Sequence, residues 1–289
     1  MASPASPPTR SQTADKAPLF GALVPYRQHT EIKLTQLIAT LHGVAPSCVI
    51  GDWSGPFTTP PADKLGTGML SIDGAALSLL NVNQPLPHQV FDVGRIPNAL
   101  LPDPAERLRD HRAHVVVVKA GKPVGRAASI AAARAATLLS CAAAILTGAE
   151  AFKWEDANNF VPVSLLQLSA SMLARADGLS VEAWVRVLAV RVEGGKGMAG
   201  SYGLWAFGLP EIEFAPSELP IPYLMSRTHM VSDFLLRSTR PIANGHTIDV
   251  DGENVFKVET VERGFFTARP ALRLSWLAAS PRHLGPAKS

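Results

Sequence analysis

The nine residues AHVVVVKAG, 113–121, constrain this chain more than any other stretch. A β-branched run without polar alternation is what a strand buried on both faces needs, because both sides of the pleat must then be apolar. From Pro123 to Gly148 an alanine-rich segment follows, in which Leu138, Leu139, Ala142, Ile145 and Leu146 form an apolar helical stripe. Its small side chains let such a helix approach a sheet closely. AFKWED, 151–156, reads as the next strand, so strand, helix and strand form a βαβ-like unit.

The flanking segments carry local signals of their own. EIKLTQLIATLHG (31–43) sets Leu34, Leu37, Ile38 and Leu41 at helical spacing with Gly43 as a stop, and CVIGDW (48–53) reads as a strand before the Pro-rich loop 55–64. Residues 68–82 alternate on both sides of Asp73-Gly74, a hairpin signal because Asp-Gly tolerates the positive φ of a tight turn. Five prolines between Asn83 and Asp110 leave room for little regular structure. A helix is expected at 163–176. Residues 181–207 then read as a long hairpin turning at Gly194–Gly197, with a β-bulge near 188–192 where the apolar phase changes, and a return strand running through Tyr202, Leu204, Trp205 and Phe207. After it come the half-buried edge strand EIEF, a helix over 218–239 with Tyr223, Met230, Val231, Phe234 and Leu235 on its apolar side, and short alternating strands.

No internal repeat is present, and strands interleaved irregularly with helices indicate an α+β fold: mixed, mainly antiparallel sheets with helices packed on one side. Residues 19–279 are expected to form a single domain, with a subdomain split near 180 left open, between a Pro-rich flexible tail at 1–18 and a flexible tail at 280–289.

Composition excludes some function classes. Of 289 residues 47% are hydrophobic and 18% charged, which suits a folded body, and the net charge of +3 is spread without blocks. A nucleic-acid partner is not expected, since phosphate binding concentrates basic residues into a patch or stripe. Cys48 and Cys141 have no CxxC or Cys/His spacing, and the first residues carry no apolar signal-type core. The longest uncharged apolar run, Ala135 to Ala149, is shorter than the roughly 20 residues a bilayer requires. These features lead to the expectation of a cytoplasmic protein with no membrane insertion and no cofactor.

Several constellations invite chemical readings. Ala199-Gly200-Ser201-Tyr202-Gly203 approaches a nucleophile elbow, but the serine falls inside a return strand rather than at a strand-to-helix turn. Ser226, His229 and Asp233 share one face of a helix without an identifiable oxyanion hole, and Asp233 is spaced to pair with Arg237. His111 and His114 enter a strand on opposite faces, Asp249–Glu253 resembles the start of a calcium loop with its glycine too early, and Gly194–Gly197 joins two strands instead of opening a helix around a phosphate. No catalytic residue and no metal ligand set is assigned. Glu211 and Glu213 point to one side of an extended segment, a spacing that fits paired carboxylates and fits a strand edge equally well.

The order AHVVVV, alanine-rich helix, AEAFKW, GLWAFGLPEIEF, helix and NGHTI resembles the bacterial proteins grouped as domain of unknown function 4261, over roughly residues 113–248. Its most specific part is the pattern from Gly203 to Glu213. The resemblance implies a bacterial cytoplasmic α+β protein, carries no catalytic residue across, and implies a partner-binding role near secretion and toxin–immunity systems, type VI secretion among them. The leading expectation is a non-enzymatic interaction module, an immunity, adaptor or chaperone-like protein whose partner is another protein. Its binding residues would come from Trp154, Tyr202 and Trp205, expected to be exposed, with Glu211, Glu213, Arg227, His229 and Asp233. The alternative is a hydrolase or small-ligand enzyme using Glu211 and Glu213, or the Ser226, His229 and Asp233 face, which requires those groups to converge in one pocket.

Overall fold

Asp73 and Gly74 both take positive φ, 50° and 78°, and close a two-residue hairpin in which Ile72 pairs with Ala75. Those are the φ signs of the mirror-image turn whose twist matches that of the strands, and Asp-Gly adopts them with little strain. The hairpin belongs to a computed structural model that describes residues 17–54, 66–175, 177–250, 252 and 254–279. The tails at 1–16 and 280–289 and the loop at 55–65 lie outside the described residues, as do Asp251 and Glu253 of the calcium-loop reading. The class is α+β, and the chain divides into two compact units, Pro18–Trp184 and the chain from Val185 on.

In the first unit β1 (Gly21–Tyr26), β2 (Ile50–Ser54), β3 (Gly66–Ile72), β4 (Ala75–Val82), β5 (Ala113–Lys119), β6 (Ala151–Trp154) and β7 (Asn159–Pro162) form one sheet in the order β2-β3-β4-β5-β1-β6-β7. Every neighbouring pair is antiparallel. β1 therefore lies between β5 and β6, which run parallel to each other without touching, so the strand–helix–strand unit exists but is split by the first strand of the chain. Pro25 is tolerated in this interior strand because β6 pairs only with Ala22 and Leu23, and no partner on that side needs the missing N–H.

Helix α1 (Leu34–Val44), the single turn α2 (Pro104–Arg107), α3 (Gly125–Thr147), α4 (Val163–Leu173) and the single turn α5 (Val181–Trp184) complete the unit. α3 contacts β1, β4, β5 and β6 on one side and α1 and α4 on others, so its middle is buried almost all round, from Ala132 to Ala144 apart from Arg134, rather than along one stripe. By length and composition α3 could cross a membrane, yet 67% of its apolar window is buried inside the protein. Helices α3 and α4 pack on one face of this sheet, with α1 against them, while the single turn α2 belongs to the segment on the other face. In β5, Ala113, Val115 and Val117 are buried whereas Val116 and Val118 are half-buried, which corrects the expectation of burial on both faces.

The other face carries Leu23, opposite Val116 in the register, and meets the 83–110 segment. Leu86, Phe91, Leu101 and Leu108 of that segment cluster with Ala151 of β6 and Phe160 of β7. Three polar side chains pin it. His111 accepts the Leu86 N–H through Nε2 at 2.7 Å and donates from Nδ1 to the Leu108 carbonyl, and His114 donates from Nδ1 to the Gln84 carbonyl at 2.8 Å. Asn98 accepts the N–H groups of Leu100 and Leu101 and donates to Asn159 at 3.0 Å. Both histidines are thus held by backbone, and burial depresses the pKa of His114 below the ordinary histidine value.

The second unit is built on β8 (Arg186–Arg191), β9 (Gly197–Tyr202), β10 (Glu211–Ser217), β11 (Thr247–Asp249), β12 (Asn254–Val261) and β13 (Ala271–Ala279), ordered β11-β12-β13-β10-β9-β8, with α6 (Ile221–Arg237) packed on β8, β9 and β10. All neighbours are antiparallel except β10 and β13. Three expectations change here. Residues 181–184 are a helical turn rather than strand, so the apolar phase change marks a helix-to-strand junction; β8 and β9 pair in unbroken register from Arg186↔Tyr202 to Arg191↔Gly197, with no bulge. The return strand ends at Tyr202, and Leu204–Phe207 form a 3₁₀ turn. EIEF lies in the middle of the sheet rather than at its edge.

Candidate functional site

Gly203 has φ 134°, a conformation side-chain-bearing residues rarely adopt, and it swings the chain from β9 into the 3₁₀ turn that Gly208, at φ 71°, terminates. That turn presents unpaired N–H groups at its start. Glu211, 1% exposed, supplies the acceptors: Oε1 takes the N–H of Gly203 at 2.9 Å and of Trp205 at 3.1 Å, while Oε2 takes the Ser201 hydroxyl at 2.6 Å. Ser201 Oγ in turn accepts the Ile212 N–H at 2.8 Å. Burial raises the pKa of the Glu211 carboxyl above the ordinary glutamate value, and the Ser201, Gly203, Trp205 and Leu204 hydrogen bonds counter that only in part.

Glu213, equally buried, makes a different set of contacts. Its Oε1 receives Arg273 Nε at 2.7 Å and Nη2 at 2.6 Å, and its Oε2 accepts the Phe265 N–H. A Cβ on Gly264 would lie 2.9 Å from that same oxygen, so the carboxylate packs directly against the loop backbone. The two glutamates are therefore the internal fasteners of a turn and a loop, and the half-buried strand edge expected for them is corrected to full burial.

Ser201 is 1% exposed and its hydroxyl is shared between Glu211 and the Ile212 N–H. Ser226, His229 and Asp233 lie on α6, where Asp233 accepts Arg237 Nε at 2.7 Å. A Cβ on Gly197 would meet Ile221 and Leu224 of α6, whereas one on Gly200 would meet Phe266. Glu213 is the cross-strand partner of Gly200, so the glutamates occupy the side of the sheet away from α6. The two groups do not share a pocket. Among the described residues no group of three or more His, Cys, Asp or Glu is placed to hold a metal ion.

The aromatic expectations divide. Trp154 is fully buried, because β6 sits between β1 and β7 under α3; its expected exposure is not found. Tyr202 and Trp205 are half-buried, and the Arg269 guanidinium lies 3.9 Å from the Trp205 ring centroid, a cation–π contact.

The residues that sequence reasoning misplaced are on α6. Its buried side is Leu224, Thr228, Val231, Ser232, Leu235 and Leu236. Met230 and Phe234, assigned to the apolar side, point outward and are 41% and 53% exposed. Arg227 lies beside them, its guanidinium 4.6 Å from the Tyr223 ring and its Nη1 on the Met230 sulfur at 3.0 Å. Asn254 donates to the Tyr223 hydroxyl at 2.6 Å and accepts the Trp276 indole N–H at 2.9 Å, which joins Trp276, itself 44% exposed, to the same surface. The signal was present: Leu224, Val231 and Leu235 mark the buried seam once Thr228 and Ser232 are allowed on it. They are allowed because each hydroxyl is satisfied by the carbonyl four residues back, at 2.8 and 2.7 Å.

No family model, no curated protein and no solved structure matches this chain.

Proposed function

We propose that this protein is a non-enzymatic interaction module of bacteria that docks another protein through the outward face of α6 and the adjoining end of β13. The observation that carries this reading is the exposure of Met230, Phe234 and Trp276 on one helix face and its rim, next to Arg227. The outward stripe of a surface helix is ordinarily polar, and aromatic residues, methionine and arginine are the types enriched where proteins meet. The consumption of Glu211, Glu213 and Ser201 in internal hydrogen bonds supports a binding role over hydrolysis. The resemblance to the domain of unknown function 4261 family supports, more narrowly, an immunity, adaptor or chaperone-like task in a secretion or toxin system of the cytoplasm.

The test is a photoreactive benzophenone side chain at position 230 in the full chain, irradiated in the native host. A discrete protein adduct that disappears when Phe234→Asp is added supports the reading. Adducts that persist unchanged with Phe234→Asp, or none at all, remove it.

A further inference from the structure

The 83–110 segment is held to its sheet by side chains of two kinds, which differ in their response to acid. We propose that the segment is an acid-released strap: protonation of His111 frees the stretch from Gln84 to Phe91, while the stretch from Asp92 onward stays in place.

Both ring nitrogens of His111 are engaged, in opposite senses. Nδ1 carries a hydrogen and donates to the Leu108 carbonyl, while Nε2 accepts the Leu86 N–H at 2.7 Å. Only a neutral imidazole offers that acceptor, since both nitrogens of the charged ring are donors. Protonation at Nε2 therefore sets donor against donor, and the buried Leu86 N–H loses its partner. The residue is only 7% exposed, so water replaces the lost bond only when the strap lifts.

The surrounding charges do not rescue the closed form. Tyr26 and Arg27 at the end of β1, Arg107 of α2, Asp110 and Glu150 line one recess with His111, and the Arg112 guanidinium donates to the His111 carbonyl. Glu150 is paired with Arg27 at 2.6 Å, and Asp110 lies 3.9 Å from Arg109. Each carboxylate thus has a cation of its own, and neither is available to hold a charged His111. The other nearby imidazole, His114, works in the same direction. Burial holds its pKa below the ordinary histidine value. The stability it contributes is therefore present above the unfolded value and is lost as pH falls through the folded one.

The remaining pins are amides that do not titrate. Asn158 donates to the Asp92 carbonyl at 3.0 Å, and Asn98 accepts the Leu100 and Leu101 N–H groups while donating to Asn159. Asp92 is thus where the moving stretch ends. Lifting it carries Leu86 and Phe91 off the sheet. Phe160, whose ring stacks on Phe91 at 5.7 Å, then meets water together with Ala151. Acid turns a covered apolar patch of β6 and β7 into an open one.

The experiment is amide exchange of the full chain read by NMR at about pH 7.5 and about pH 5, each rate divided by that of an unstructured amide at the same pH. A freed imidazole titrates near about 6.5, so the open fraction at Leu86 is expected to grow by at least about 30-fold between the two. Leu101, whose N–H rests on Asn98, is expected to stay unchanged. His111→Gln keeps an acceptor for the Leu86 N–H and has no proton to gain, so it should cut the response to below about threefold, the remainder being due to His114. A Leu86 amide indifferent to pH overturns the strap. So does an equal response at Leu101, which means general loosening, or a response that His111→Gln leaves intact. Should that variant not fold, the unaltered chain provides the test: the midpoint of the Leu86 response must coincide with that of the His111 ring shifts, and a mismatch overturns the assignment.

Discussion

Arg273 and Glu213 are directly paired across the parallel strands β13 and β10, with two guanidinium nitrogens within 2.7 Å of one carboxylate oxygen. The carboxylate side chain is 2% exposed and the arginine 33%, so the pair is sunk at one end and open to water at the other. Arg273→Leu leaves a buried carboxylate with a single backbone partner and is expected to destabilise the second unit by about 3 kcal/mol. Urea denaturation followed by tryptophan fluorescence measures it. A change below about 0.5 kcal/mol would assign the pair the weight of an exposed one.

Glu211 gives the protein a distinctive pH response. Its carboxyl is raised above the unfolded value chiefly by burial, so the folded state holds the proton more tightly than the unfolded one. The stability this contributes is fully present below the ordinary carboxylate range and is lost as pH rises through the raised folded value. Glu211→Gln should abolish that component of the pH dependence. It should also cost about 1–3 kcal/mol, since one amide oxygen replaces two acceptors and the amide NH₂ faces donors. Denaturation midpoints across acidic and neutral pH, compared between the two proteins, check both parts.

Gly203 is expected to be intolerant of any side chain. Gly203→Ala forces φ 134° on an L-residue and should destabilise by about 1–3 kcal/mol, while Gly43→Ala, in helix α1 with open space around its missing Cβ, should be neutral or slightly stabilising. Thermal melts of the two variants side by side separate backbone strain from a generic effect of substitution.

His111 is expected to govern the 83–110 segment rather than a metal. His111→Ala removes the acceptor of the Leu86 N–H and the donor to Leu108, and opens space beside Phe91, whose ring is 5.1 Å from the imidazole. Amide exchange should accelerate at Leu86 and its neighbours by tenfold or more, about 1.4 kcal/mol of local stability. Unchanged exchange there would show that the apolar cluster alone holds the segment.

What the sequence made legible was local. The Asp73-Gly74 hairpin, the α1 and α4 helices and the Gly194–Gly195 turn are each encoded within a few residues, and each forms close to where it was expected. What depends on distant partners was not legible. Nothing near 151–156 announces that Gly21–Tyr26 will slide between β5 and β6. The Glu-Ile-Glu alternation reads as a half-buried edge strand because the charge that allows Glu213 to be buried, Arg273, lies 60 residues away. The short apolar run VEAW carries no periodicity long enough to separate strand from helical turn. On α6 the binary reading failed for a physical reason: Thr228 and Ser232, scored as polar, are buried, and Met230 and Phe234, scored as apolar, are not. The candidate surface was therefore hidden by the very residues that compose it.

The placement of β13 beside β10 has a consequence for the order in which the protein can be made. The ribosome delivers β8, β9, β10 and α6 well before the last strand, yet that strand belongs at the middle of their sheet. Until residues 271–279 emerge, β10 has an open flank and Glu213 a carboxylate with no arginine to neutralise it. The described strands of the unit ending at Trp184 are all made by Pro162, so that sheet can be completed while synthesis continues, whereas the sheet of the unit that follows must wait for residues 271–279.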